Sequence, residues 1–249
     1  MRATPMMWCS SIDTLDVRGI VYYGSEPSTP NTTAYPYIDN CLDEPTSNLV
    51  PYLAQDVGEP YWVEISNVTK GLNSEDYIRW YINNTTMQVS WKDPILLQVY
   101  EQAQEFRSSD ALIELPEANK YAYVVIEQQD ATPHPIHLHG HDFQILSQGH
   151  GPFNSSNIQL INPPRRDVAM LPAVGHLAIA FQTNNPGIWL LHCHIGWHAA
   201  EGLALQFLEN ENAMRGLFEY SDYWTLKSSC DSWSNYEQVD DVYEVDSGI

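Results

Sequence analysis

Two short segments gather most of the histidines of this sequence around one of its four cysteines, side chains that could ligate a soft or borderline metal. They are His134-Pro-Ile-His137-Leu-His139-Gly-His141 and His192-Cys193-His194-Ile-Gly-Trp-His198. Seven of the nine histidines fall within these fifteen positions, and none occurs before His134. The flanks of the second segment, residues 187–191 and 202–208, are apolar, aromatic and bounded by glycine, which predicts strands. On a strand, side chains two apart share a face and neighbours point to opposite faces. Cys193 must then point one way and His192 and His194 the other. One ion cannot easily take all three, whereas two sites back to back, joined through the backbone of the cysteine, fit the spacing.

Cys193 and His198 belong to the first of these sites. The spacing Cys-x4-His-x4-Leu lets a strand end and its loop wrap one ion, with Leu203 next in line to approach it. A thiolate and two imidazoles with a weak or absent fourth donor is the blue-copper arrangement. His134, followed by a proline that fixes the backbone direction, is the expected second imidazole. His137 and His139 share a face and can serve the second site with His192 and His194. Neutral imidazole suits copper, and thiolate selects it over hard cations. A mononuclear cupin-like oxygenase also uses a His-x-His pair, but has no need of Cys193 between two histidines.

The segments HPIHLHGH and HCHIGWHAAEGL resemble the third and fourth copper-binding motifs of the multicopper oxidases. RRDVAMLPA (165–173), NNPGIWLLHCH (184–194) and the terminal Asp246-Ser-Gly-Ile249 resemble the ascomycete-type fungal laccases in particular. The likeness runs from about residue 35 to the end. It implies an all-β, cupredoxin-like Greek-key sandwich with a few short helices. It also implies type 1 copper on His134, Cys193 and His198, with the non-ligating Leu203 at the axial position. His137 would hold type 2 copper, and His139, His192 and His194 the type 3 pair. The family takes electrons singly from phenols or aromatic amines at the type 1 site and reduces O2 to water at the trinuclear cluster. A leucine at the axial position cannot donate electron density, which favours Cu(I) and raises the reduction potential.

The resemblance also implies an incomplete cluster. The family's four coppers use ten histidines and one cysteine, and this chain supplies six of those histidines with the cysteine. The other four come from an N-terminal cupredoxin domain that the chain is expected to lack. Alone it should not hold three coppers tightly enough for four-electron chemistry. The resemblance pairs Cys9 with Cys41 and bridges Cys230 to a cysteine of the missing domain. Three free structural thiols are the alternative.

At 249 residues, the chain has room for one full domain of about 150–200 residues and a piece of another. Eleven basic against 32 acidic residues give a net charge of −21, so nucleic acid and anionic membrane surfaces are poor partners by repulsion. No apolar run is long enough to span a membrane, and the first residues lack the apolar core of a signal peptide. Acceptor patterns for N-glycosylation at Asn31, Asn67, Asn83, Asn84 and Asn154, with the acidity, favour a secreted glycoprotein in an oxidising compartment.

Residues 1–49, rich in Pro, Ser, Thr and Asn, read as the tail of a preceding cupredoxin domain with a linker, and 50–249 as the C-terminal cupredoxin domain. Strands are predicted at 61–65, 77–82, 121–127, 143–146, 177–181, 189–191 and 203–208. Asp93-Pro94 predicts a capped short helix, and 221–237 a helix that docks the C-terminus. His141 is expected to make a structural hydrogen bond, and His150 and His176 to lie on the surface or in loops. Trp197 either lines a substrate cleft or packs in the core. Arg165-Arg166-Asp167 reads as a salt-bridged turn. The terminal residues 246–249 resemble the tail that plugs the trinuclear-site channel in ascomycete laccases, a disordered end being the alternative. The leading expectation is the C-terminal part of a laccase-like oxidase. The competing ones are a type 1 copper electron-transfer domain without oxidase activity and an inactive truncated gene product.

Overall fold

The computed structural model describes residues 2–3, 17–33, 36, 38, 44–240, 242 and 245–249, and the chain divides into two compact units, Met1–Leu49 and Val50–Ile249. In the first unit β1 (Arg2–Ala3) pairs antiparallel with β2 (Val17–Arg18). Cys9 and Cys41, and with them their expected pairing, lie outside the described residues.

The second unit contains β3 (Pro60–Leu72), β4 (Ile78–Ile82), α1 (Ile95–Tyr100), β5 (Leu112–Leu115), β6 (Tyr121–Gln128), β7 (His134–Leu138) and β8 (Phe143–His150). It continues with β9 (Arg165–Arg166), β10 (Val168–Leu171), β11 (Gly175–Gln182), β12 (Gly187–Cys193), α2 (Gly196–Ala200), β13 (Ala204–Glu209), α3 (Glu211–Arg215) and α4 (Tyr220–Asp240). One sheet has the order β10-β7-β12-β13-β5 and the other β4-β3-β6-β11-β8-β9. Pairing is antiparallel except at β13–β5 and β3–β6. The two sheets bury Phe143, Phe181, Phe207, Leu115, Leu138, Leu177 and Leu191 completely. Each such side chain contributes about 1.5–3 kcal/mol by leaving water, so the sheets that carry the histidines rest on a dry core. Every predicted strand is present, and α4 extends the predicted helix to 21 residues, so one helix is not short.

Three local expectations are corrected. Asp93 does not cap α1: Pro94 occupies the cap position without a side-chain bond, and the carbonyl of Asp93 instead accepts from Gln98 Nε2 and Arg107 Nη2. Residues 165 and 166 form strand β9 rather than a turn, and Arg165 reaches Asp142 at 3.6 Å and Gln55 Oε1 at 2.7 Å, not Asp167. His176 is buried in β11, not on the surface. Ser147 Oγ lies 2.9 Å from its Nε2 and the Gly151 carbonyl 2.9 Å from its Nδ1, and these two partners make the burial affordable. His150 is exposed at the end of β8, as expected.

Candidate metal centre

Strand register brings the two histidine segments together. On β7 the burial alternates, with His134, Ile136 and Leu138 inward and His137 half-buried on the other face. β12 pairs with it so that Leu191 faces Leu138, His192 faces His137 and Cys193 faces Ile136. Cys193 therefore shares the inward face with His134, and His192 shares the outward face with His137. α2 starts just beyond the strand and returns His198 to the inward side, where Leu203 N donates to its carbonyl and Leu203 O accepts from Cys193 N. Leu203 is fully buried in the same turn.

Inside, His134 Nδ1 and His198 Nδ1 lie 3.0 Å apart, and Cys193 Sγ lies 3.6 and 3.7 Å from them. A point equidistant from the three atoms is about 2 Å from each, which is a metal–nitrogen bond length. The donor set thus fits one soft or borderline cation in a trigonal arrangement. Burial pushes the Cys193 thiol up to about 11, opposed by the amide of Ile195. Burial, and then His198, pulls His134 down to about 4. His198 is also lowered by burial, against Glu201 and Asp130. Neutral imidazoles with free lone pairs are ready ligands, and taking up a cation displaces the thiol proton.

On the outward face, His137, His139 and His192 converge, with each ligand atom within 4.8 Å of the others and the Nε2 atoms of His139 and His192 3.1 Å apart. His194 joins them, its ring stacked on His192 at 5.8 Å and edge-on to His137 at 5.8 Å. His137 donates from Nδ1 to the Asp167 carbonyl at 2.7 Å, and His192 from Nδ1 to the Cys193 carbonyl at 2.9 Å. Both bonds fix the tautomer and leave Nε2 as the free donor atom. Burial lowers His139 and His192 as well, reinforced by the neighbouring imidazoles. His139 and His194 are exposed.

Several residues around these groups are marked by no local sequence pattern. Trp80, on β4, is buried with its indole edge-on to His134 at 4.6 Å and tilted against His198 at 4.8 Å. Its Nε1 donates to Glu201 Oε2 at 3.1 Å. Lys70 Nζ stands 5.4 Å over the same ring and 2.7 Å from Asp130, whose carboxyl it holds down at about 2. Only the alternation of residue types in β4 hints at an inward Trp80, and nothing local names its target. Trp197, beside His198, is 80 % exposed, which removes the core-packing reading. Residues 246–249 are ordered against the turn of α2: Ser247 is buried, Ser247 Oγ donates to Ala199 O, Ser247 N donates to Ala200 O, and Trp91 Nε1 donates to Gly248 O. Cys230, on α4, is buried and has no disulfide partner among the described residues.

A multicopper oxidase family profile matches residues 87–213. Laccase-1 of Botryotinia fuckeliana is 39 % identical over 241 residues, covering 94 % of this chain and 42 % of that protein. The laccase of Cryphonectria parasitica is 39 % identical, over 92 % of this chain and 42 % of its own length. The crystal structure of a Botrytis aclada laccase superposes with a TM-score of 0.77 at 38 % identity, over 90 % of this chain and 42 % of that one. The chain thus spans about two fifths of the length of these relatives. Its two sheets are the cupredoxin-like sandwich of those structures, and the family's metal is copper. With the profile covering half of its residues and the paired histidine segments inside that half, the chain belongs to the multicopper oxidases.

Proposed function

We propose that this chain is the copper-binding C-terminal part of a secreted, laccase-like oxidase that takes electrons singly from phenols or aromatic amines and reduces O2 to water. The observation that carries the proposal is the back-to-back pair of donor sets sharing Cys193. His134, Cys193 and His198 would hold type 1 copper under Leu203, His137 the type 2 ion, and His139, His192 and His194 the type 3 pair. Copper bound there supplies one-electron redox chemistry and, at the histidine cluster, the electrons for dioxygen.

The residues supply the route. His198 is only half-buried, and its neighbour Trp197 is exposed, so an aromatic substrate can reach its ring edge. Trp80 and the sandwich core keep water from the sulfur. From Cys193, the backbone leads directly to His192 and His194, and the 2.9 Å bond from His192 Nδ1 to the Cys193 carbonyl shortens that path. The exposed side of His139 and His194 leaves room for further imidazoles from outside these 249 residues. Support for secretion comes from the five acceptor asparagines, all exposed, and from the acidic surface. Among the described residues, no helix is long and apolar enough to cross a membrane.

The test is copper analysis, absorption spectroscopy and oxygen uptake on the copper-loaded full-length protein. The proposal expects four coppers, an intense visible band lost in Cys193→Ser, and phenol-dependent oxygen consumption. A colourless protein that prefers zinc overturns it. A blue protein without oxygen uptake reduces it to an electron-transfer domain.

A further inference from the structure

Behind the histidine cluster lies a second set of polar groups, centred on a wholly buried carboxylate, that belongs to neither donor set. Glu209 closes β13, and its side chain is completely buried; that of His141 is 4 % exposed. His141 Nε2 is 3.0 Å from Glu209 Oε2, and its Nδ1 is 3.2 Å from the carbonyl of His139. A carbonyl only accepts, so Nδ1 carries the proton it donates to His139. The other carboxylate oxygen, Oε1, accepts from the amide of Asn185 at 2.6 Å. Asn185 in turn donates from Nδ2 to the carbonyl of Gly140 at 2.9 Å and accepts the indole proton of Trp189 at 2.7 Å.

All these bonds converge on one turn, the His139-Gly140-His141 corner after β7. Gly140 has φ +73°, and a Cβ there would stand 2.5 Å from the Trp189 ring, so backbone and indole are in direct contact. The corner is thus held at consecutive carbonyls: that of His139 by His141, and that of Gly140 by Asn185. Both tethers end on the same carboxylate. A buried carboxylate is costly unless its oxygens are matched, and here the match is to groups whose other ends fix the loop.

We propose that Glu209 is a positioning residue for the histidine cluster, setting the direction of the His139 ring toward His192 through His141 and Asn185. This rests on the reading of His139 as a copper ligand. Outer partners of ligating histidines typically govern metal retention by about 10–100-fold.

The experiment uses the copper-loaded full-length protein dialysed against a chelator, following copper content, the visible band of the Cys193 site and the near-ultraviolet and magnetic signatures of the cluster. Glu209→Leu is expected to weaken copper retention at the cluster by about tenfold or more while the visible band survives. Glu209→Gln, which can accept from Asn185 and donate to His141, is expected to recover most of it. Unchanged cluster copper in Glu209→Leu overturns the proposal, and so does parallel loss of the visible band and the cluster. Should Glu209→Leu fail to fold, Asn185→Ala removes only the Gly140 tether. Weaker cluster retention with an intact visible band then supports the proposal, and unchanged retention overturns it. His139→Ala separates the premise: cluster copper that persists in that variant refutes the ligand reading itself.

Discussion

The two faces of β7 and β12 carry the same residue type to opposite ends. Inward, His134 and Cys193 are fully enclosed and His198 half-buried, with donor atoms 3.0–3.7 Å apart and an indole packed against both imidazoles. Outward, His137, His139, His192 and His194 form a looser group with two members exposed. The enclosed set is held by a hydrophobic core and has all its donors within one domain. Its open counterpart is held by hydrogen bonds to backbone carbonyls and presents free Nε2 atoms to whatever lies beyond. On the proposed reading, a site that only exchanges electrons benefits from rigidity and dryness, and one that must admit a small molecule and further ligands cannot be enclosed by a single sandwich.

The sharpest way to break this contrast is Cys193→Ser. It removes the soft donor from the enclosed set and should abolish the visible band and phenol-dependent oxygen uptake, given the preference of copper for thiolate. Copper at the outward cluster should be retained, and metal analysis beside the absorption spectrum checks both halves. Next in size is Trp80→Ala, which opens a cavity beside His134 and His198 and should lower stability by about 3–5 kcal/mol in denaturant unfolding. Its spectral effect should fall on the enclosed site alone.

Gly140→Ala attacks the open side. A positive φ and a Cβ driven into Trp189 should cost about 1–3 kcal/mol. The visible band should keep its position while copper leaves the cluster more readily. Smallest is Asp130→Asn at the rim of the enclosed set. The Asp130 carboxyl is lowered from 3.8 to about 2 by Lys70, so the pair stabilises the fold above the ordinary value, and that contribution fades as pH falls from about 4 toward 2. With Lys70 half exposed, it amounts to about 1 kcal/mol or less. Unfolding curves at pH 6 and pH 3 should therefore lie closer together for the variant than for the parent.

Much of this arrangement was legible in the sequence because the strand period is local. The alternation His192, Cys193, His194 dictates two faces whatever the rest of the chain does, and the run 187–191 is apolar enough to read as a strand. The proximity of Trp80 to His134 was not legible, since it depends on how β3 and β4 are placed against the second sheet. Strands β5, β7 and β10, with the two-residue β9, lie outside the expected set because runs of four or five residues with few apolar members are common outside sheets. His176 was misjudged for a related reason: its burial depends on Ser147 across the strand pair, which no local pattern contains. Glu209 looks like an ordinary charged strand end until the fold sets His141 opposite it.

The facing of His192 with His137, and of Cys193 with Ile136, has a consequence for biogenesis. A slip of one residue between β7 and β12 would turn each side chain to the wrong face, and neither donor set would then assemble. On the proposed reading of both donor sets, metal capture proofreads strand pairing: chains that pair wrongly stay empty, and those that pair correctly gain the binding free energy of the ion. A preparation sorted by metal content is, by the same token, sorted by folding fidelity.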